Sequence, residues 1–440
     1  MKNKMKILLV CEYIAPTQGI GAIRWTKITK YLKKNHRDKV MIDVLTNKKN
    51  YDNPESGDFY TSDALLEKEM QYFNHYFSVP VDDIVIRLKN RYKAIRKRNN
   101  GLGASKDGLH HTYKIIFFLK KLYRRYVSMR TTQILVRAIK SKAGEYDVII
   151  SSYPEIWTFM VCSKLKSKYS HLKWICDFRD ICGRHTSPLL DYGKWHINYV
   201  QKHSRLADAV FHIDDFIDTH TDKRIKDYTV TNGYDPEEVA NPKKPCWFDL
   251  IYTGTIYGNL QNFGVIYRTI NELAQEGVVD LKKVRVLYAG KCGSLAQKMA
   301  KDHGGDKYFI NLHEIPRYKA HELQQNAAIL IQACFNVEGD HCAWTGKMYE
   351  YMRSQKPIVY IVNGNISHSF PSKYMELLGG ICYEESRHEE TYADLKAYIL
   401  AKYKEWEETG NVTVVQDKNY IQKYSYERIT EQVWEIMNSI

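Results

Sequence analysis

Residues 6–35 read KILLVCEYIAPTQGIGAIRWTKITKYLKKN, and this stretch predicts the fold of the first half of the chain. A short apolar run indicates a buried strand, a loop rich in turn residues follows, and the sequence from Trp25 has helical character. Repeated strand–helix units build a parallel sheet, which binds ligands at the C-terminal ends of its strands. Gly19 and Gly21 would let a ligand approach a helix N-terminus that attracts anions. A tight turn alone would explain them equally well.

The alternation of strands and helices continues, and it starts again after a linker at residues 240–245. The predicted strands of the first half include VMIDVLT, DDIVIRL, DVIISSYP, KWICDFRD, AVFHID and YTVTNG; those of the second half are DLIYTGTI, VRVLYAG, KYFINLHE, AILIQAC and PIVYIV. Residues 48–80 read as a long loop or short helices. We expect an α/β protein with two Rossmann-like domains facing across a cleft, at residues 1–240 and 246–415. A helix within residues 416–440 is expected to close back on the N-terminal domain.

Composition excludes several classes of protein. With 440 residues, 44% of them hydrophobic, the chain is neither disordered nor collagen-like, and its length suggests two domains. The nine cysteines are scattered and form no C-x2-C pair, which predicts reduced thiols in a cytosolic protein, with neither zinc ligands nor disulfides. The apolar run at the N-terminus is too short for a signal peptide, and no stretch approaches the ~20 apolar residues of a membrane span. We expect a soluble or peripheral protein.

The net charge of +14 comes from one segment. Residues 87–142 form a basic insertion that contains 17 Lys and Arg and a single acid, Asp107. Within it, KIIFFLKKLYRRYV, which begins at Lys114, has apolar residues at helical spacing flanked by basic ones. Such a helix binds an anionic membrane surface or a lipid pyrophosphate. A solvated helix packed on its own domain is the alternative, and nucleic acid is disfavoured because no nucleic-acid module accompanies the charge.

Two further positions in the first half carry candidate side chains. Arg24, one turn into the first helix, would reach a phosphate or an acceptor, or would lie on the surface. Asp177, Arg179 and Asp180 end the strand of KWICDFRD, where side chains of this fold class face a cleft. They are our candidate catalytic residues, because two acids around an arginine would orient sugar hydroxyls or hold an acceptor. A structural ion pair is equally compatible. No metal site is expected, since neither acid has metal-ligand spacing with a histidine.

The segment TGKMYEYMRSQKPIV, residues 345–359, is the most specific motif. Gly346 would open a helix whose free amides face an anion, and Lys347 would add a positive charge. Glu350, one turn on, is placed to accept hydrogen bonds from two vicinal hydroxyls, as on a ribose. A plain surface helix is the alternative.

Taken in order, five segments resemble the GT-B glycosyltransferases, in particular the family-4-like enzymes of bacterial surface polysaccharide synthesis. The segments cover nearly the whole chain: the loop with Gly19, Gly21 and Arg24, the DFRD strand, VTNGYD from Val230, YTGTIYGN from Tyr252, and TGKMYEYMRSQKPIV. The resemblance implies a retaining, metal-independent enzyme without a cofactor that moves a sugar from a nucleotide-diphosphate sugar to a glycan, which we expect to be lipid-linked. It would work at the cytoplasmic face of a membrane.

The resemblance also implies roles for residues of the second half. Glu350 would bind the ribose, Gly346 and Lys347 would lie near the diphosphate, and Gly254 and Thr255 would line the loop after the first strand. Side chains and helix dipoles would neutralise the leaving diphosphate.

Two departures from the family pattern stand out. Cys342 replaces a second glutamate, and Gln261 and Asn262 stand in the loop that usually carries an Arg/Lys pair. Arg179, Lys291 or Lys347 would then supply the positive charge. A nucleotide-sugar epimerase of the same shape and a non-catalytic glycan- or membrane-binding subunit remain alternatives.

Overall fold

A computed structural model describes residues 4–49, 61–80, 110–180, 182, 193–215, 217–238, 246–338 and 344–440. The chain forms two compact units. The N-terminal unit consists of Met1–Thr231 together with Ile429–Ile440, and the C-terminal unit is Asn232–Arg428. The predicted strand DDIVIRL, the linker at 240–245 and the first part of the basic insertion lie outside the described residues.

The N-terminal unit is built on a seven-stranded parallel sheet with the order β3-β2-β1-β4-β5-β6-β7. Its strands are β1 Met5–Cys11, β2 Val40–Asn47, β3 His75–Val79, β4 Val148–Tyr153, β5 Lys173–Phe178, β6 Ala209–His212 and β7 Lys226–Thr229. Its helices before the second unit are α1 Ile20–Asn35, α2 Ala64–Glu69, α3 His110–Ile139, α4 Ile156–Lys168 and α5 Gly193–Ser204. The central strands read as continuous apolar runs because a parallel sheet is buried on both faces.

The C-terminal unit repeats this architecture with six parallel strands in the order β10-β9-β8-β11-β12-β13. The strands are β8 Phe248–Thr253, β9 Val284–Ala289, β10 Phe309–Asn311, β11 Ile329–Phe335, β12 Ile358–Asn363 and β13 Ile381–Glu384. The helices are α6 Gly264–Gln275, α7 Gly293–Asp302, α8 Arg317–Gln325, α9 Gly346–Ser354, α10 Phe370–Tyr374, α11 His388–Thr409 and α12 Lys418–Gln422.

The last helix, α13 Tyr426–Ser439, returns the chain to the N-terminal unit. Gln432 donates to the Thr229 carbonyl at 3.0 Å, and the Trp434 ring stacks on His36 with centroids 4.4 Å apart. The final helix therefore closes back on the N-terminal unit, as the sequence predicted.

The sequence analysis missed strands β3 and β13. Both are edge strands of four or five residues, and β3 has the sequence HYFSV with no fully buried position. An edge strand that is covered on few sides needs no continuous apolar run, so the pattern that marked the central strands is absent.

The cysteines required one correction. Seven of them are free thiols, of which Cys11, Cys162, Cys176 and Cys182 are buried, but Cys334 forms a disulfide bond. The prediction of reduced thiols throughout was therefore wrong at Cys334. Its place at the end of β11 gave no sequence signal, because Cys334 belongs to no short-spaced pair.

No helix among the described residues combines the length and the apolar character that crossing a membrane requires.

Candidate functional site

A cavity of about 180 Å³ opens at the C-terminal ends of β8 and β9, within the C-terminal unit. Ligands of parallel α/β sheets bind at this edge, where strand ends, loops and helix N-termini converge. The residues that line the cavity are Thr253, Gly254, Thr255, Ala289, Gly290, Lys291, Glu314, Ile315, Ala320, Lys347 and Glu350. Five of the six residues proposed from sequence to bind a donor thus share one cavity. The sixth, Gly346, is the first residue of α9, beside Lys347.

Lys347 lies in the first turn of α9, and the loop after β8 holds its ammonium group. Its Nζ donates to Tyr252 Oη at 2.7 Å and to the Thr255 carbonyl at 3.1 Å, and it lies 4.2 Å from the centroid of the Tyr252 ring. Burial lowers the pKa of Lys347 to about 7, because little water remains to solvate the charge. An anion in the cavity would favour the charged form, so Lys347 is suited to neutralise a phosphate.

The loop after β8 needs glycine at position 254 for two reasons. Gly254 has a φ of +105°, a conformation that residues with a side chain rarely adopt, and a Cβ there would lie 2.9 Å from Cδ of Lys347. The absence of a side chain at Gly254 therefore leaves room for Lys347 to cross the loop and reach Tyr252.

Glu350 lies one turn further along α9, and its two carboxylate oxygens have different surroundings. Oε2 accepts a hydrogen bond from Gln324 Nε2 at 3.0 Å, whereas the charged neighbours of Oε1 lie further away, with Arg317 Nε at 3.5 Å and His321 Nε2 at 3.6 Å. Burial raises the pKa of Glu350, but the proximity of His321, Arg317 and Arg353 outweighs it, so the pKa lies well below its usual range. Glu350 is therefore an ionised acceptor with open lone pairs, which suits sugar hydroxyls.

A group of charges behind Glu350 ties α8 to α9. Glu238 accepts from both outer nitrogens of Arg317, at 3.2 and 2.8 Å, and from Arg353 Nη1 at 3.2 Å. Burial lowers the pKa of His321, which contacts Arg353 at 3.1 Å. The carboxylates of Glu238 and Glu350 thus supply counter-charge to both guanidiniums, which a buried group of this kind requires.

The N-terminal unit holds a second charged group, in which Arg24 and Asp177 form a fully buried ion pair. Arg24 donates to Asp177 Oδ1 from Nε at 3.1 Å and from Nη2 at 2.8 Å, and its Nη1 donates to the Thr231 carbonyl at 2.7 Å. Trp25 Nε1 and Ser152 Oγ donate to Asp177 Oδ2 at 2.7 and 3.2 Å. Both charged side chains have no exposed surface. Asp177 thus forms the structural ion pair that the sequence left open, and its partner is Arg24.

Arg179 and the glycine loop are brought together in the same unit. Arg179 Nε donates to the Tyr153 carbonyl at 3.0 Å, and its guanidinium lies 5.8 Å from the ring centroid of Tyr13. A Cβ on Gly21 would collide with Arg179 Nη1 and lie 3.3 Å from Cβ of Tyr13. Gly21 therefore lets the arginine lie against the first turn of α1. Gly19, with a φ of +124°, caps that helix without a side-chain hydrogen bond.

The remaining sequence candidates contact neither Lys347 nor Glu350 within the part of the chain that the structure describes. Lys291 pairs with Glu314 at 3.4 Å at the mouth of the cavity, where both side chains are more than half exposed. Gln261 is buried and donates to the Ala333 carbonyl at 2.9 Å, so it braces the loop after β8. Asp180 is exposed. Cys342 lies outside the described residues.

Four side chains around Lys347 and Glu350 were missed by the sequence analysis. They contact Lys347 or Glu350 but belong to no spacing pattern: Tyr252, Arg317, His321 and Gln324. Tyr252 begins the YTGTIYGN segment, but the sequence gives a tyrosine in a buried strand no role beyond packing in the hydrophobic core. Arg317 and Gln324 come from α8, and only the packing of α8 against α9 reveals them.

No protein-family model matches the sequence, and no curated protein sequence matches it significantly. Solved structures do match. Sucrose-phosphate synthase from Thermosynechococcus elongatus aligns with a TM-score of 0.60 at 10% identity, covering 99% of both chains. TarM from S. aureus, solved with UDP, has a TM-score of 0.55 at 11% identity, covering 99% of this chain and 100% of its own. A putative UDP-N-acetylglucosamine 2-epimerase from Listeria monocytogenes has a TM-score of 0.55 at 10% identity, covering 99% and 96%.

These similarities establish the fold. The two parallel α/β units are the two Rossmann-like domains of the GT-B fold, and the match extends over almost the whole chain.

Proposed function

We propose that this protein is a glycosyltransferase that moves a sugar from a nucleotide-diphosphate sugar to a glycan acceptor. The observation that carries the proposal is the cavity of the C-terminal unit, which combines the ionised carboxylate of Glu350 with the half-buried ammonium group of Lys347. The first would accept hydrogen bonds from ribose hydroxyls and the second would bind the diphosphate. TarM, of the same fold, was solved with UDP, which supports a uridine donor.

The cavity also supports a metal-independent transfer. Lys347, Lys291 and the positive N-terminal end of α9 would stabilise the negative charge that develops on the leaving diphosphate. In the retaining reaction that we propose, an oxygen of the leaving diphosphate takes the proton of the acceptor hydroxyl. The transfer should therefore proceed in excess chelator.

We assign the acceptor to the N-terminal unit. Arg179, with its Nη1 beside Gly21, offers positive charge next to the N-terminus of α1, and Gly19 keeps that turn free of a side chain. Asp180 is exposed at the same strand end and would orient acceptor hydroxyls. Arg24 and Asp177, which are fully buried, act through position by fixing α1 against β5.

We further propose that the acceptor is lipid-linked and that α3 docks on the anionic cytoplasmic face of a membrane. Leu122, Tyr126 and Met129 repeat at helical spacing and are 47%, 46% and 43% exposed, with the exposed Lys121 and Arg125 beside them. Apolar residues flanked by cations suit an anionic lipid surface, where each basic residue contributes about 1 kcal/mol. Vesicles with anionic lipid should bind the protein at low salt and release it at high salt. Binding that ignores salt, or no binding at low salt, would contradict this part.

The donor is tested by calorimetry of the protein in EDTA with UDP, GDP, ADP, TDP and CMP. We expect saturable binding of one diphosphate, weakened by roughly 1–3 kcal/mol in Glu350→Ala because the variant loses hydrogen bonds to the ribose. Glu322→Ala, an exposed position on α8 that does not line the cavity, is the matched control and should bind nearly as well. If no nucleotide binds, the donor assignment fails.

A nucleotide-sugar epimerase is the second candidate, since one structure of the same fold is a putative epimerase. An epimerase needs no acceptor. Release of nucleoside diphosphate from the sugar nucleotide only when a glycan acceptor is added would support the transferase, and conversion of the sugar nucleotide without acceptor would support the epimerase.

A further inference from the structure

Gln324 joins the two strand-edge elements that build the cavity. It lies on α8 with no exposed surface. Its Nε2 donates to Glu350 Oε2 and to Thr253 Oγ1, both at 3.0 Å. One buried amide group therefore connects the end of β8 to the carboxylate on α9.

The surroundings allow the Gln324 amide only one orientation. Its Oε1 accepts from Arg353 Nη2 at 3.3 Å, and an arginine can only donate. A flipped amide would turn its oxygen toward the Glu350 carboxylate and its nitrogen toward the arginine, and both contacts would become repulsive. Gln324 is therefore fixed as a donor toward Glu350.

We propose that Gln324 is a positioning residue that holds the Glu350 carboxylate in the orientation that recognises the two ribose hydroxyls of the donor. The inference rests on the proposed function, because it assumes that Glu350 binds a ribose. By engaging Oε2, Gln324 leaves for the ligand the other oxygen, Oε1, whose charged neighbours lie 3.5 Å or more away.

The charges around Glu350 explain why such a hold is needed. Arg317 Nε lies 3.5 Å and His321 Nε2 3.6 Å from Oε1, just beyond hydrogen-bond distance. Without the hydrogen bond from Gln324, the carboxylate is free to rotate onto Arg317 and form a charge-assisted pair. The oxygen that should face the ribose would then be occupied by the protein itself.

The test compares nucleotides with and without the ribose hydroxyls. Calorimetry would first identify which of UDP, GDP and ADP binds the full-length protein, and would then measure its 2′,3′-dideoxy analogue. We expect the wild type to prefer the natural nucleotide by about 10- to 100-fold, the usual effect of hydrogen bonds to a charged group. In Gln324→Leu this preference should shrink to a few-fold, while affinity for the dideoxy analogue stays within about twofold of wild type.

Gln325→Leu is the matched control. Gln325 is the next residue of α8 and also bonds to α9, through the Ser354 carbonyl at 3.3 Å, but it does not touch Glu350. This variant should keep the full preference for ribose hydroxyls. Gln324→Met changes the shape of the side chain less. If the leucine variant folds poorly, the methionine variant should show the same reduced preference for the natural nucleotide over its dideoxy analogue.

Each outcome decides a separate point. A lost preference in both Gln324 variants with the preference intact in Gln325→Leu supports the inference. A preference unchanged in the Gln324 variants, or equal losses for both nucleotides, overturns it and leaves the donor site standing. Failure of the wild type to bind any diphosphate overturns the proposed function, and the inference with it.

Discussion

The two units place a buried ion-paired group at the same edge of their sheets, yet the two groups differ in how completely they are satisfied. In the N-terminal unit, Arg24 and Asp177 have no exposed surface, and each Asp177 oxygen accepts a hydrogen bond from a neighbouring side chain. In the C-terminal unit, Glu350 is 23% exposed, and the charged neighbours of its Oε1 lie at 3.5 and 3.6 Å.

This difference separates a structural role from a binding role. Burying a charge costs free energy that only close partners recover, so a group with all its partners supplied by the protein has nothing left for a ligand. A charged group beside a cavity that has few hydrogen-bond partners within the protein gains the most favourable free energy when a ligand supplies them. The open oxygen of Glu350 and the low pKa of Lys347 mark the second kind of group.

The largest expected effect follows from breaking the buried ion pair between Arg24 and Asp177. Asp177→Ala should lower the free energy of unfolding by about 3–5 kcal/mol, because it leaves the Arg24 charge buried without a counter-charge. Urea unfolding measures the loss. The double variant Arg24→Met with Asp177→Leu should recover much of it, since no charge stays buried.

The exposed Asp38, in the same unit, provides the control. Asp38→Ala should change stability by less than about 0.5 kcal/mol. If Asp177→Ala were as stable as Asp38→Ala, the buried pair would not be structural, and the contrast between the two units would disappear.

An intermediate effect is expected from the pH dependence of nucleotide binding. Burial lowers the pKa of Lys347 to about 7, so the free protein is protonated there below pH 7 and neutral above it. A bound diphosphate favours the protonated form. Affinity should therefore not depend on this group below pH 7, and above it should fall by up to about tenfold, or 1.4 kcal/mol, per pH unit.

Lys347→Arg tests the origin of that slope, because a guanidinium stays charged throughout this range. Its affinity, measured by calorimetry between pH 7 and 9, should be nearly flat. A flat profile for the wild type would show that Lys347 is already charged before the ligand binds. Its site would then resemble the buried Arg24–Asp177 pair, whose charges the protein itself satisfies.

The smallest effect concerns the loop that carries Lys347. Gly254→Ala and Gly277→Ala both place a side chain at positive φ, and each should cost about 1–2 kcal/mol of stability. Only the first also crowds Lys347, since Gly277 faces open space. Nucleotide affinity should therefore fall in Gly254→Ala alone, by less than about 1 kcal/mol. Equal affinities in the two variants would contradict the role of this loop.

Much of the architecture could be predicted from the sequence because buried parallel strands are long apolar runs. The structure agrees with the sequence prediction for both sheets, for the final helix and for a helix that begins at Gly346. The edge strands β3 and β13 were not predicted, because few contacts constrain their composition. The disulfide at Cys334 was missed since its spacing carries no signal.

The sequence by itself determined which chemical groups stand at the ends of which strands: the glycine loop, DFRD, and the TGKMYEYM helix with Lys347 and Glu350. That information is local, since spacing along a strand or helix decides which side chains share a face. Only the tertiary structure decided which of these charged groups have all their partners within the protein and which remain able to bind a ligand. Arg24 and Asp177 form an ion pair although 153 positions separate them in the sequence, and Gln324 on α8 donates a hydrogen bond to Glu350 on α9. Partners so distant in sequence are chosen by packing, and packing decides whether a charge is satisfied by the protein or is left for a ligand.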